Sequence, residues 1–157
     1  MSKLLLNLEL LAIPLVMKMK YRCPNAEMVG TTVIKDYELL FKGSKTGSYL
    51  TIEKKIGSEV PVTVWKVTNS DIDSLDMYEG YPTFYYKKEM PIVYKDIYTG
   101  EEHRQDSFVY IMHEERKIGV PSEYYVATCK EGYRAFGFDF KHLELAYQKS
   151  ISENNSK

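Results

Sequence analysis

Three features of the sequence predict an α+β domain whose sheet curls towards a barrel. About six short runs are rich in β-branched and aromatic residues, the pattern of strands. Only two or three stretches carry helical spacing with start and stop residues. The two kinds of element do not alternate regularly, which argues against a doubly wound parallel sheet. The chain has 157 residues, and domains commonly hold about 100 to 150, so residues 1–149 are expected to form one domain. Residues 150–157, SISENNSK, read as a polar, disordered tail.

The elements follow in order. Leu4 to Leu11 is an apolar segment expected to be buried as strand or helix. With the run to Val16 it has the look of a signal peptide, but Glu9 and Pro14 interrupt it and no small-residue cleavage site follows. The run is also well short of the ~20 residues of a membrane span. A cytoplasmic protein is therefore expected. Met28 to Ile34, Asp36 to Lys42, Tyr49 to Glu53 and Pro61 to Val67 read as strands. Between the second and third, GSKTGS (Gly43 to Ser48) lacks the residue order of a phosphate loop and leads into no helix, so it reads as a hairpin turn. A helix is expected from an N-cap at Ser70, with Asp73 three residues on, to a stop at Gly80, with Ile72, Leu75 and Met77 as its apolar positions. Strands over Tyr85 to Tyr94 and Gln105 to His113 join around Tyr98-Thr99-Gly100, and Pro121-Ser122-Glu123 opens a second helix.

Composition excludes several classes of partner. The 21 basic and 22 acidic residues leave a net charge of -1, so there is no basic field for nucleic acid or an anionic membrane. Small neutral or zwitterionic molecules fit better. Cys23 and Cys129 are far apart, and His103, His113 and His142 stand singly, so no zinc-ligand spacing exists and no metal site is expected. The 14 tyrosines are the oddity, because each buried hydroxyl needs a hydrogen-bond partner. They suit strands, a polar pocket or, as a weaker reading, a protein-interaction face.

Glu79 draws attention within SLDMYEGYPTFYYKK (Ser74 to Lys88). It can be a plain solvated residue at a helix end. However, if Gly80 ends the helix, Glu79 lies where the helix dipole disfavours a carboxylate. Nearby aromatic rings would desolvate it as well, and both effects favour the protonated form. A carboxyl group of this kind suits general acid-base catalysis near neutral pH. No rival nucleophile is evident: both cysteines read as buried core thiols, and no serine lies in a G-x-S-x-G context.

Four stretches in order, RCPNAEMVG (Arg22 to Gly30), GSEVPVTVWKVT (Gly57 to Thr68), SLDMYEGYPTFY (Ser74 to Tyr85) and PSEYYVATCKEGYRAFGFD (Pro121 to Asp139), resemble the bacterial branch of the gamma-glutamylcyclotransferase-like family. The resemblance spans roughly residues 17 to 140. It implies a small mixed β-barrel with peripheral helices. It also implies conversion of a gamma-glutamyl amine into 5-oxoproline and the free amine, with no cofactor and no covalent intermediate. The family's acid-base glutamate corresponds to Glu79, in the L-D-x-x-E-G pattern of Leu75 to Gly80. Tyr85 and Tyr125, the latter in the P-S-x-x-Y motif, correspond to pocket residues whose hydroxyls would hold the substrate; a core-facing position is the alternative for Tyr125.

The sequence departs from the family at its start. The expected Y-G-S-N loop, whose amides and serine hold the glutamyl group, is missing, and a gap-free count places it on Leu10-Leu11-Ala12-Ile13. Leucine in place of glycine adds a β-carbon at a close approach, and alanine in place of serine removes a donor. Loss of one oxyanion donor typically costs about 100- to 1000-fold in rate. Divergence to a binding or inactive member, or an altered reading frame or start over residues 1–18, would each produce this pattern.

Overall fold

The computed structural model describes residues 3–8, 23–44 and 47–155. These form strands β1 (Lys3–Asn7), β2 (Glu27–Ser44), β3 (Gly47–Val67), β4 (Tyr85–Asp96), β5 (Glu102–Met112) and β6 (Lys117–Ile118), and helices α1 (Asn69–Glu79), α2 (Glu123–Ala135) and α3 (Lys141–Asn155). The order β3-β1-β5-β4-β2, with β2 pairing β3 again, closes a ring of five strands, and β6 adds to β2 outside it. β1 runs antiparallel to β3 and parallel to β5, so the barrel is mixed. This is the α+β barrel with peripheral helices that the sequence predicts.

Strand alternation builds two hydrophobic clusters. On β1, Leu4 and Leu6 face one and Leu5 the other; on β5, Val109 and Ile111 face the first and Phe108, Tyr110 and Met112 the second. The first also holds Cys129, Tyr133, Leu143 and Ala146 of α2 and α3. The second holds Cys23, Trp65, Tyr85 and the α1 residues Ile72 and Leu75. With side chains buried on both faces, β1 needs the near-continuous apolar run that the sequence gives it. Both cysteines are free and buried.

Four features differ from expectation, each for a local reason. The four runs before Asn69 form two long strands, because Asp36 absorbs the break between the first pair as a register shift with φ 64°. Its Oδ1 accepts the Gly57 amide at 3.0 Å, tying that bend to the opposite strand. Helix α1 is capped by Thr68 rather than Ser70: Thr68 Oγ1 accepts the Asp71 amide at 3.2 Å, and Asp71 Oδ2 accepts the Thr68 amide at 2.9 Å. Met77 is 85% exposed, since it lies off the stripe that buries Ile72 and Leu75. The segment read as a disordered tail from Ser150 is helical through Asn155. Leu143, Ala146 and Ser150 form its buried stripe, and the Asn154 side-chain Nδ2 donates to the Ile118 carbonyl at 3.3 Å. A serine at a tightly packed inner position made this helix look like solvated tail.

Two glycines serve close approach or chain reversal. A Cβ at Gly30 would lie 2.5 Å from the Lys95 carbonyl oxygen of β4, so glycine permits β2 and β4 to meet there. Gly80, at φ 66° and ψ 37°, ends α1 in the left-handed conformation, as the sequence predicts.

Candidate functional site

The stop at Gly80 fixes where Glu79 stands. Glu79 is the last residue of α1 and half-buried. The Tyr81 amide donates to the Asp76 carbonyl at 2.9 Å, and the Phe84 amide to the Gly80 carbonyl at 2.7 Å, so the chain folds back directly beneath the helix end. His113 Nε2 lies 2.7 Å from the Pro82 carbonyl, the His113 amide donates to the Phe84 carbonyl at 3.2 Å, and the Arg116 guanidinium stacks 4.2 Å from the Phe84 ring centre. The turn after Glu79 is thereby clamped to the segment that leaves β5.

Three side chains from separate elements meet one turn away. The Tyr110 hydroxyl of β5 donates to Asp76 Oδ1 at 2.6 Å, and the Lys87 ammonium of β4 lies 3.0 Å from Oδ1 and 3.1 Å from Oδ2. Lys87 also sits 4.2 Å above the Tyr81 ring. The Tyr110 phenol is held well above the usual tyrosine range, first by burial, then by its bond to Asp76 and the charges of Asp76 and Glu79. It is therefore a protonated donor at every physiological pH. Its response to Glu79 places that carboxylate within electrostatic reach of the group.

Tyr85 and Tyr125 converge on the backbone of a single residue. The Tyr85 hydroxyl donates to the Leu50 carbonyl at 3.2 Å, and the Tyr125 hydroxyl accepts the Leu50 amide at 3.1 Å. Tyr85 is buried in the cluster beneath α1, whereas Tyr125 packs edge-on to Phe41 and Tyr49 at ring-centre distances of 6.2 and 5.5 Å. β3 thus bridges them. The amide of Tyr125 itself is capped by Ser122 Oγ at 3.1 Å, which sets the first turn of α2 as Pro121-Ser122-Glu123 predicts. Leu10, Leu11, Ala12 and Ile13 lie outside the described residues.

Sequence reasoning singled out Glu79 but not Asp76, Lys87 or Tyr110. The signal for Asp76 was present, since it lies three residues before Glu79 and so on the same helix face. Lys87 and Tyr110 reach it only through the pairing of β4 with β5, in which Lys87 stands opposite Tyr110. Among the described residues, no group of three or more His, Cys, Asp or Glu side chains is placed to hold a metal ion, and no helix is long and apolar enough to cross a membrane.

Comparison with solved structures places this architecture in a known class. A protein described as gamma-glutamyl cyclotransferase superposes with a TM-score of 0.74 at 24% identity, covering 93% of this chain and 86% of its own. An uncharacterized Homo sapiens protein gives 0.73 at 25% identity, with 92% and 86% covered. YkqA from Bacillus subtilis gives 0.68 at 15% identity, with 96% of this chain and 55% of that one covered. No curated protein matches the sequence. The chain belongs to the family described as "Gamma-glutamyl cyclotransferase, AIG2-like", whose sequence model matches residues 15–127. That span contains Glu79, Tyr85 and Tyr125.

Proposed function

We propose that this chain is a cytoplasmic, cofactor-independent gamma-glutamyl cyclotransferase. In the reaction the substrate's α-amine attacks its own γ-carbonyl, a new C–N bond closes the five-membered lactam, and the bond to the leaving amine breaks. The Glu79 carboxylate takes the proton from the attacking nitrogen and returns it to the departing one, so 5-oxoproline and a free amine leave with Glu79 restored. Intramolecular attack supplies proximity without a covalent enzyme intermediate. The observation that carries this reading is a half-buried carboxylate at the end of α1, in electrostatic reach of a buried, protonated tyrosine, in a chain of this family. Tyr85 and Tyr125 are the proposed walls of the substrate pocket, held in place by the Leu50 peptide.

The test is release of 5-oxoproline from a panel of gamma-glutamyl amines, followed by mass spectrometry. Glu79→Gln is expected to bring turnover to background while moving the melting temperature little, because it preserves the size of the side chain. Equal, measurable turnover by the two proteins rules out the role. A second reading, a homologue that binds a gamma-glutamyl compound without turning it over, is favoured by Leu10-Leu11-Ala12-Ile13 standing where the family's Y-G-S-N loop is expected. A melting shift with 5-oxoproline but no product from any substrate would establish that reading instead.

A further inference from the structure

Asp76 and Glu79 stand on one face of α1, and Asp76 is fixed from two strands by the Tyr110 hydroxyl and the Lys87 ammonium. The titratable groups gathered at this helix end include, among the described residues, Asp76 and Tyr78 on α1 itself, Tyr81 in the following turn, Lys87 from β4, Tyr110 from β5, His113 and Arg116, which follow β5 and pack against the turn, and Cys23, which precedes β2 and also acts on Tyr110. Of these, Asp76 and Lys87 form an ion pair. The arrangement places a fixed anion beside Glu79 on its own helix. It also pairs that anion with a cation from β4, as the last turn of α1 contains no basic residue of its own.

We propose that Asp76 and Lys87 are positioning residues for Glu79: the Asp76 carboxylate favours the protonated state of Glu79, Lys87 opposes it, and their pairing sets the pH at which Glu79 exchanges its proton. The inference rests on the reading of Glu79 as the proton carrier. A carboxylate one helical turn away makes a second negative charge costly, and the negative end of the helix dipole adds in the same sense. Lys87 limits that cost, because its ammonium lies on the Asp76 carboxylate. Tyr110 holds Asp76 without adding charge, since its phenol keeps its proton. Asp76 and Lys87 therefore act on Glu79 with opposite sign, which a purely structural role would not produce.

The experiment is an NMR titration of the full chain with carbon-13 in the glutamate side-chain carboxyls, the Glu79 signal being assigned by its loss in Glu79→Gln. Asp76→Asn, which still accepts from Tyr110, is expected to lower the Glu79 midpoint by about half a pH unit or more. Lys87→Met is expected to raise it by a similar amount, and the double variant to fall between the two. Shifts of the same sign, or none beyond error, overturn the proposal. If Asp76→Asn does not fold, Lys87→Met decides alone: a midpoint that fails to rise overturns it. 5-Oxoproline release is measured in parallel. Opposed shifts in a protein that turns over no substrate would leave this inference standing and remove the enzymatic one, and turnover without opposed shifts would do the reverse.

Discussion

At the scale of single residues, the tyrosines show how the same side chain takes different costs. Tyr85, Tyr110 and Tyr125 are bonded through their hydroxyls to Leu50 or Asp76, and the Tyr86 hydroxyl donates to Glu114 Oε2 at 2.5 Å. The Tyr133 hydroxyl, on α2, is buried with no hydrogen-bond partner. A buried, unbonded hydroxyl costs roughly 1 to 3 kcal/mol of desolvation, so removing it recovers part of that while the ring keeps its packing. Tyr133→Phe is accordingly expected to leave stability unchanged or to raise it by about 1 kcal/mol, read from urea unfolding midpoints. A loss above this size would mean that the hydroxyl has a partner. The same contrast explains what the sequence disclosed of the site. Glu79 was legible because helix end, glycine and aromatic run are contiguous in the chain. Its surroundings were not, because Lys87 and Tyr110 are 23 positions apart and become neighbours only through the register of β4 and β5.

At the scale of elements, the helix start is the place where local chemistry and the sequence reading part. Two threonine- or serine-led starts compete before Ile72: Ser70 with Asp73, and Thr68 with Asp71. The second wins because both reciprocal bonds form and Asp71 is buried at 1% exposure beneath the helix, where its carboxylate needs the Thr68 amide. Thr68→Ala should therefore cost about 1 kcal/mol, whereas Ser70→Ala should stay within about half of that. Equal effects in denaturant titrations would reject the assignment. The strands were legible from their β-branched and aromatic runs, but their lengths were not, since a bulge at Asp36 looks in sequence like a turn. Helix α3 was hidden for the opposite reason. Its inner face uses Ala146 and Ser150, small residues that pack closely yet carry little hydrophobic signal.

At the scale of the whole molecule, burial of so many phenols makes stability depend on alkaline pH. Tyr86, Tyr94, Tyr110 and Tyr133 all have their pKa raised above the ordinary value of 10.0, in each case first by burial. Hydrogen bonding to Glu114 adds to the shift at Tyr86, and hydrogen bonding to Asp76 at Tyr110. Below the unfolded value both states hold these protons and the linkage vanishes. Above it the unfolded chain releases them while the folded chain keeps them, so stability falls as pH rises past 10.0 and goes on falling until the folded phenols ionise. On the acid side His142, lowered from 6.5 first by burial and then by Lys141, works in the other direction: below that pH the unfolded chain takes up a proton that the folded one resists. The expected profile is a plateau between these two limits. Its alkaline edge should be the steeper, because several tyrosines act together there, whereas on the acid side His142 acts first and Asp96, lowered by the Tyr98 and Thr99 amides, only below 3.8. Melting temperature across pH, with tyrosinate absorbance followed in the same samples, tests this directly. The expected outcome is that a group of phenols, those of Tyr86, Tyr94, Tyr110 and Tyr133, ionises only as the protein unfolds. Titration of all the tyrosines near pH 10 in the still-folded protein would show that these phenols are open to solvent, Tyr110 with its bond to Asp76 among them.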